Sequence, residues 1–193
     1  MEATAISLSL PEKPVGTGGF LDPEKIVDKF GITEGMQIAD FGCGAGYFTI
    51  LMAQKTGPKG KVYALDIQET ALDNVRAKAR VNNINNIETV RTNLEILGSS
   101  SLESGSQDSV MLHNVLFQSK KKLEIFREAN RILKPGGKII VVEWAKGAGG
   151  FGPPDDLRLD ASEIKNIAAK ESLFLESGLE TGQFHFGLIF SKT

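Results

Sequence analysis

Cysteine is almost absent from this sequence of 193 residues, and its scarcity excludes several kinds of chemistry. The single cysteine, Cys43, has no partner for a disulfide within the chain and cannot build a metal site from several thiolates. The sequence therefore predicts neither a disulfide-stabilised fold nor a metal centre. We interpret Cys43 as a small buried side chain rather than as a catalytic thiol.

The sequence also lacks a surplus of charge and a long hydrophobic run. Its net charge is −2 at pH 7, which does not indicate a general nucleic-acid or membrane-surface binder. No apolar segment approaches the roughly 20 residues that a membrane-spanning helix needs. The first residues show no basic segment followed by an apolar run, as a secretory signal would. These absences favour a cytoplasmic protein without nucleic-acid or membrane partners. The sequence leaves a monomer and a homodimer equally open.

The chain does contain a regular alternation of apolar, strand-length runs and helical segments. Residues 1–19 hold two prolines and three glycines with little periodicity, so we expect a flexible tail before a single domain over residues 20–193. Five strands alternate with helices, the fourth over 108–117 and the fifth over 137–144, and two final strands follow without an intervening helix. This order predicts an α/β, Rossmann-like fold, with a doubly wound, mostly parallel seven-stranded sheet and a C-terminal antiparallel strand pair.

The stretch IADFGCGAGYFTI, residues 38–50, carries the clearest indication of a ligand site. Three glycines at every second position separate a strand from a helix, which allows a tight turn and close approach of a ligand to the backbone. The helix N-terminus after them suits an anionic group. Asp66 follows the last of these glycines by 20 residues and ends the second strand, where a carboxylate can bind both ribose hydroxyls. The pattern predicts a nucleoside ligand with an anionic group at its other end.

Two ligands fit that description, a nicotinamide dinucleotide and S-adenosylmethionine. The dinucleotide fingerprint is Gly-x-Gly-x-x-Gly, whereas Gly42, Gly44 and Gly46 follow the spacing Gly-x-Gly-x-Gly. Asp40 stands two residues before the first glycine, where its charge opposes a pyrophosphate but suits the ammonium group of an amino-acid end. The charge pattern therefore favours S-adenosylmethionine.

Over about residues 20–193 the chain resembles a class I S-adenosylmethionine-dependent methyltransferase. The blocks that carry the resemblance, in chain order, are DFGCGAG from Asp40, the acid Asp66, the triplet Thr92-Asn93-Leu94, DSVMLHNVLF and REANRILKPGGKIIVVEW. The resemblance implies a set of residues that contact the cofactor, namely Asp40, Gly42, Gly44, Gly46, Asp66, Ile67, Asn93, Leu94 and His113. Small stand-alone enzymes near the quinone and arsenite methyltransferases are the most similar, although arsenite enzymes use several cysteines.

The acceptor side of the expected site offers two candidates for a catalytic base. His113 and Asn114 end the fourth strand beside the expected methyl group. They either form a hydrogen-bonded pair that shapes the pocket, or His113 accepts a proton from the substrate, a task that a histidine pKa near 6.5 would suit. Glu143 ends the fifth strand across the same cleft and is equally suited to a structural role, while Trp144 is a packing residue or a substrate platform. His185 is expected at a surface or sheet edge, and the glycine-rich loop 147–154 is either a lid or a connector.

Three functions remain open from the sequence. The first is methyl transfer from S-adenosylmethionine, with S-adenosylhomocysteine as product, to a small-molecule acceptor. The second is an NAD-dependent oxidoreductase, which the glycine spacing and Asp40 disfavour. The third is a non-catalytic module that binds S-adenosylmethionine without an acceptor site.

Overall fold

The computed structural model describes residues 21–193, so the predicted tail 1–19 lies outside the described residues. Seven strands form the sheet: β1 (Gln37–Phe41), β2 (Lys61–Asp66), β3 (Ile87–Arg91), β4 (Gln107–His113), β5 (Leu133–Trp144), β6 (Leu173–Leu179) and β7 (His185–Lys192). Five helices flank it: α1 (Pro23–Val27), α2 (Tyr47–Thr56), α3 (Glu69–Val81), α4 (Lys122–Ile132) and α5 (Ala161–Lys170).

The sheet has the strand order β3-β2-β1-β4-β5-β7-β6. Strands β1 to β5 are parallel to one another, and β7 runs antiparallel to both β5 and β6. The prediction of a doubly wound, mostly parallel seven-stranded sheet with a C-terminal antiparallel pair is therefore confirmed. The strand order reverses between β1 and β4, and open α/β sheets bind ligands beyond the carboxyl ends of the strands at such a point.

Both faces of the sheet are covered, which explains the continuous apolar runs of its central strands. In β4, Val110 and Leu112 pack into the cluster that contains α4 and α5, whereas Met111 packs into the opposite cluster with α1 and α2. Helix α1 begins after Asp22, which caps it by accepting a hydrogen bond from the Lys25 backbone N–H. These two buried layers hold the loops at the carboxyl edge in fixed positions.

Two predicted strand boundaries are wrong. Strand β4 ends at His113 rather than at residue 117, because Asn114 adopts a left-handed conformation with φ of 53° and the chain then turns into a short 3-10 helix, Leu116–Gln118. Strand β5 begins at Leu133 rather than at residue 137, because an irregular register between Gln107 and Ser109 absorbs the turn residues that follow α4. No helix within residues 21–193 is long and apolar enough to cross a bilayer.

Candidate functional site

A cavity of about 780 Å³ opens at the carboxyl ends of β1, β2 and β4. Nine predicted cofactor-binding residues line it together, namely Asp40, Gly42, Gly44, Gly46, Asp66, Ile67, Asn93, Leu94 and His113. Strand alternation and loop position bring these residues to one edge of the sheet, although they span more than 70 positions of the chain. We call the part near Asp66 the cofactor end, and the part lined by His113, Asn114, Trp144 and His185 the acceptor end.

The glycine loop needs glycine for its backbone conformation. Gly42, Gly44 and Gly46 have φ angles of 72°, 50° and 79°, in the left-handed region that other residues rarely adopt. A Cβ on Gly42 would lie 2.4 Å from the Val115 Cγ2 atom, so the loop also packs too closely for a side chain there. The loop delivers the chain directly to α2, whose N-terminus has no side-chain cap. Backbone N–H groups at that terminus can therefore receive an anionic group.

Asp66 connects the glycine loop to the end of β2. Its Oδ2 atom accepts a hydrogen bond from the Gly44 backbone N–H at 3.0 Å, and its Oδ1 atom accepts one from the Gln68 N–H at 2.9 Å. An ionised carboxylate offers about four lone-pair positions, so these two bonds leave capacity for a ligand. The carboxylate is fixed in position before any ligand binds.

Asp40 is a buried acid at the floor of the cofactor end, and 2% of its surface is exposed. The Thr49 hydroxyl donates a hydrogen bond of 2.5 Å to its Oδ2 atom. Burial raises the pKa of Asp40 to about 7, the Thr49 bond opposes that rise, and the charge of Asp66 adds to it. A cationic group in the cavity would stabilise the ionised form of Asp40.

The sequence did not indicate that Lys78 of α3 supports the glycine loop. Its Nζ atom donates a hydrogen bond of 2.7 Å to the Ala45 carbonyl and lies 3.5 Å from the centre of the Tyr47 ring. Tyr47 is 65% exposed at the mouth of the cavity. A lysine on the third helix of such a fold is ordinarily a solvent-facing residue, so only the structure identifies this contact.

Asn93 lies in a tight turn between β3 and the serine-rich loop. Its side-chain Oδ1 atom accepts a hydrogen bond from the Glu95 backbone N–H at 3.0 Å, and its backbone carbonyl accepts one from the Ser99 hydroxyl at 2.6 Å. The fully buried Glu128 of α4 holds the same loop by accepting from the Gly98 N–H at 2.6 Å. The sequence does not reveal this contact, because the acid that organises the loop is 30 residues away.

Glu143, one of the two predicted catalytic candidates, lies beneath the cavity rather than in its wall. Its side chain is 0% exposed, and its Oε1 atom accepts from the N–H groups of Val115 at 2.8 Å and Leu116 at 2.6 Å. Burial raises its pKa to about 7 against these opposing hydrogen bonds. This geometry supports the structural alternative, in which Glu143 fixes the turn that follows β4.

His113, the other candidate, lines the cavity at the end of β4. Its ring centre lies 4.4 Å from that of Phe48 and 6.1 Å from that of His185. Burial lowers the pKa of His113 to about 3, and the neighbouring His185 adds to that effect. The sequence argument assumed a pKa near 6.5. The pKa lies below that value because burial of the ring penalises its charged form.

The prediction that His185 lies at the surface or at a sheet edge is also wrong. The residue is 7% exposed and lines the acceptor end, where its ring centre lies 4.1 Å from that of Trp144. Strand β7 is an interior strand between β5 and β6, and its first residue pairs in register with Trp144. The sequence predicted a final antiparallel strand pair but could not tell which of its two strands was outermost.

The loop 147–154 packs beside Trp144. Arg158 holds it by donating hydrogen bonds to four carbonyl groups, those of Ala145, Gly149, Phe151 and Pro153. A Cβ on Gly152 would lie 2.7 Å from the Trp144 ring, so the loop touches the outer side of the acceptor end. Its role as a lid stays a prediction.

Within residues 21–193, no group of three or more histidine, cysteine or acidic side chains could hold a metal ion.

Comparisons with known proteins agree on one family. A family model described as "Methyltransferase domain" matches residues 32–175. A demethylmenaquinone methyltransferase of Lactococcus lactis is 34% identical over 119 residues, which are 62% of this chain and 46% of that protein. An arsenite methyltransferase of Halobacterium salinarum is 27% identical over 139 residues, 72% of this chain and 34% of that protein. The chain thus spans about half or less of the length of these two relatives.

A solved structure is similar over nearly its whole length. The S-adenosylmethionine-dependent methyltransferase from Aquifex aeolicus superposes with a TM-score of 0.83 at 26% identity, covering 91% of this chain and 92% of that one. The similarity therefore extends over most of the fold.

Proposed function

The chain belongs to the methyltransferase domain family, and from that membership we propose that it transfers a methyl group from S-adenosylmethionine to a small-molecule acceptor. The resemblance identified from the sequence is confirmed by the family match. The expected product on the donor side is S-adenosylhomocysteine. We further propose a cytoplasmic setting without a nucleic-acid partner, which the net charge of −2 and the single cysteine support.

The observation that carries this proposal is the order of charges along the cofactor end. Asp40 supplies a buried acid whose pKa is raised to about 7, and a ligand ammonium group would restore its charge. The α2 N-terminus lies close by for a carboxylate, and Asp66 lies beyond the glycine loop for ribose hydroxyls. A dinucleotide pyrophosphate would gain nothing from the acid, so this arrangement fits S-adenosylmethionine better than NAD.

Each predicted cofactor residue has a role in the proposal. Asp66 binds the ribose, and Asp40 binds the ammonium group directly or through water. Ile67, Asn93 and Leu94 form the wall expected to contact adenine. His113 lies where β4 ends, on the way from the cofactor end to the acceptor end.

The bound cofactor would supply a methyl group already activated by a sulfonium centre. The protein's task is then to align donor and acceptor and to exclude water, and alignment alone can lower a barrier by roughly 7–11 kcal/mol. The aromatic acceptor end supports such a task, because Phe48, Trp144 and the two histidines surround it with weakly polar surface. A dedicated catalytic base is not required by this account.

The acceptor is proposed as a small molecule because two relatives act on small molecules by their names, demethylmenaquinone and arsenite. Arsenite itself is a poor candidate for this chain, since it contains one cysteine and burial raises the pKa of that thiol further. The remaining acceptor classes are to be distinguished by experiment.

The test is turnover of S-adenosylmethionine with a labelled methyl group in the presence of a panel of small phenols, quinols, amines and thiols. The proposal predicts acceptor-dependent release of S-adenosylhomocysteine that is absent without protein. Tight binding of S-adenosylhomocysteine with no turnover on any acceptor would favour the non-catalytic module instead. Binding of NAD with no response to either sulfur nucleoside would overturn the proposal.

A further inference from the structure

Three polar side chains at the acceptor end, His113, Asn114 and His185, are joined by contacts to which the proposed function assigns no role. The Nδ2 atom of Asn114 lies 3.2 Å from Nε2 of His113 and 3.2 Å from Nε2 of His185. Asn114 and His185 are 71 residues apart in the chain, and they meet because the start of β7 lies near the end of β4. All three residues line the cavity. The two histidines are the only ones in the sequence.

The orientation of the Asn114 amide follows from its hydrogen-bond partners. An amide has two N–H donors and one carbonyl acceptor. With Nδ2 facing the two rings, both amide donors have an acceptor, and two buried atoms of this set lack a hydrogen-bond partner among the described residues, Oδ1 of Asn114 and Nδ1 of His185. The reverse orientation would leave both amide N–H donors unpaired, whereas the orientation in the structure leaves one unpaired donor, the Nδ1–H of His185. The reverse is therefore the more costly arrangement, because unpaired donors are rarer in protein interiors than under-satisfied carbonyls.

This orientation fixes the protonation state of both rings. A histidine that accepts a hydrogen bond at Nε2 and is neutral carries its proton on Nδ1. Burial acts in the same direction, since it lowers the pKa of His113 to about 3 and that of His185 to about 4. Nε2 of His113 is therefore already engaged and is not available to remove a proton from an acceptor.

The backbone of Asn114 keeps the amide in place. Its φ of 53° lies in the left-handed region, where asparagine is among the few tolerated residues. Its N–H donates to the Val142 carbonyl at 2.9 Å, and its own carbonyl accepts from the Gln118 Nε2 atom at 2.8 Å. The backbone of Asn114 is therefore fixed, and the contact with the His185 ring orients its side-chain amide.

We propose that His185 is a positioning residue that acts through Asn114 to hold His113 as a neutral hydrogen-bond donor at the acceptor end. His113 would then bind a lone pair of the methyl acceptor through its Nδ1–H group instead of acting as a general base. The donor role toward the acceptor rests on the proposed function. The arrangement of the protons does not, because it exists in the protein without any ligand.

The test is nitrogen-15 NMR of protein labelled at histidine, at neutral pH and without ligands. Because the chain has only two histidines, their ring nitrogens give a simple spectrum that single-histidine variants can assign. The proposal predicts that both rings are neutral, protonated on Nδ1 and unprotonated on Nε2. A proton on Nε2 of either ring would overturn it. Neither outcome depends on methyl transfer, so failure here is distinguishable from failure of the proposed function.

Three variants separate positioning from simple packing. Asn114→Asp replaces the NH2 group by a carboxylate oxygen in a side chain of the same shape. Both histidines should then acquire a proton on Nε2, with which they donate to that oxygen. His185→Gln keeps an acceptor for Asn114, and His113 should remain protonated on Nδ1 alone. His185→Phe keeps a ring but no acceptor, and His113 should become a mixture of the two tautomers. An unchanged His113 in Asn114→Asp or in His185→Phe would contradict the positioning role.

Discussion

The two ends of the cavity differ in their electrostatic character. The cofactor end presents two carboxylates, Asp40 and Asp66, together with backbone N–H groups of the glycine loop and α2. The acceptor end presents aromatic rings and two buried histidines joined by an amide. One end is prepared for a ligand that carries charges of both signs. The other keeps its own titratable groups neutral.

Burial has the same physical effect at both ends but opposite consequences for pH. It raises the pKa of Asp40 to about 7 and lowers the pKa of His113 to about 3, because in each case the charged form loses water. A cationic ligand group can restore the charge of Asp40. The histidines are instead held neutral by the hydrogen-bond donor between them. The comparison teaches that the cavity separates the recognition of ionic groups from the site of the proposed methyl transfer.

The largest effect that would break this separation is expected at Gly42, where the two ends touch. Gly42→Ala places a Cβ 2.4 Å from Val115 at a φ of 72°, so the glycine loop and the turn after β4 must both shift. We expect loss of S-adenosylmethionine binding by more than a hundredfold, measured by calorimetry.

The matched control for Gly42 is Gly31→Ala. Gly31 has a similar φ of 68°, but nothing lies within 4 Å of its added Cβ. The Gly31→Ala substitution should lower the unfolding free energy by only about 1–2 kcal/mol, the cost of an alanine in the left-handed conformation. Equal cofactor affinity in the two variants would show that the close approach at Gly42 does not matter for the ligand.

The next effect is expected at Asp66, within the cofactor end alone. Removing charge-assisted hydrogen bonds costs about 1.5–3 kcal/mol, so Asp66→Ala should weaken cofactor binding roughly tenfold to a hundredfold or more. The control is Asp108→Asn, at the amino-terminal edge of β4, where that acid accepts from the Gln37 N–H and from Lys134. The control should change stability and leave affinity unaltered. Unchanged affinity in Asp66→Ala would remove Asp66 from the site.

A smaller effect concerns the proton on Asp40. Since its pKa is about 7 in the free protein, an ammonium group should lower that pKa and release a proton below pH 7. Cofactor affinity should therefore rise with pH, by at most tenfold per unit, and level off above about pH 7. Calorimetry at pH 6 in buffers of different ionisation enthalpy measures the released proton. Asp40→Asn should abolish the release, and equal release from both proteins would contradict the assignment.

The remaining effect concerns acid stability at the acceptor end and involves no ligand. The folded-state pKa of His185 is lowered to about 4, so its contribution to stability is present above the ordinary value near 6.5 and is lost as pH falls toward 4. Asp40 has the opposite sign, because its raised pKa makes the folded state bind the extra proton between pH 7 and 4. The unfolding free energy of His185→Gln should therefore decline less than that of wild type between pH 6.5 and 4, by up to about 1.4 kcal/mol per unit. Parallel pH profiles of wild type and variant would show that His185 is not held neutral.

The cofactor end was readable from the sequence because its chemistry lies in short contiguous blocks. The segment from Asp40 to Gly46 encodes both the strand end and the turn, and Asp66 follows at a spacing set by one helix and one strand. Even there, Lys78 and Glu128 were missed, since each supports a loop from a helix whose sequence resembles any solvated helix.

The acceptor end could not be read in the same way. Its contacts join β4, β5 and β7, and the pairing of Trp144 with His185 depends on a strand order that alternation alone does not determine. The pKa of His113 depends on Phe48 and on His185, which are 65 and 72 positions away in the sequence. The role of Glu143 became clear only from its two bonds to the backbone of the following turn.

The central claim is that the cofactor end recognises an amino-acid nucleoside through paired charges. The most direct measurement is calorimetric titration of wild type, Asp66→Ala and Asp108→Asn with S-adenosylhomocysteine, with NAD titrated in parallel. The account predicts one site of micromolar affinity in wild type and in Asp108→Asn, a loss of at least tenfold in Asp66→Ala, and no heat from NAD. Binding of NAD, or equal affinity for S-adenosylhomocysteine in all three proteins, would contradict it.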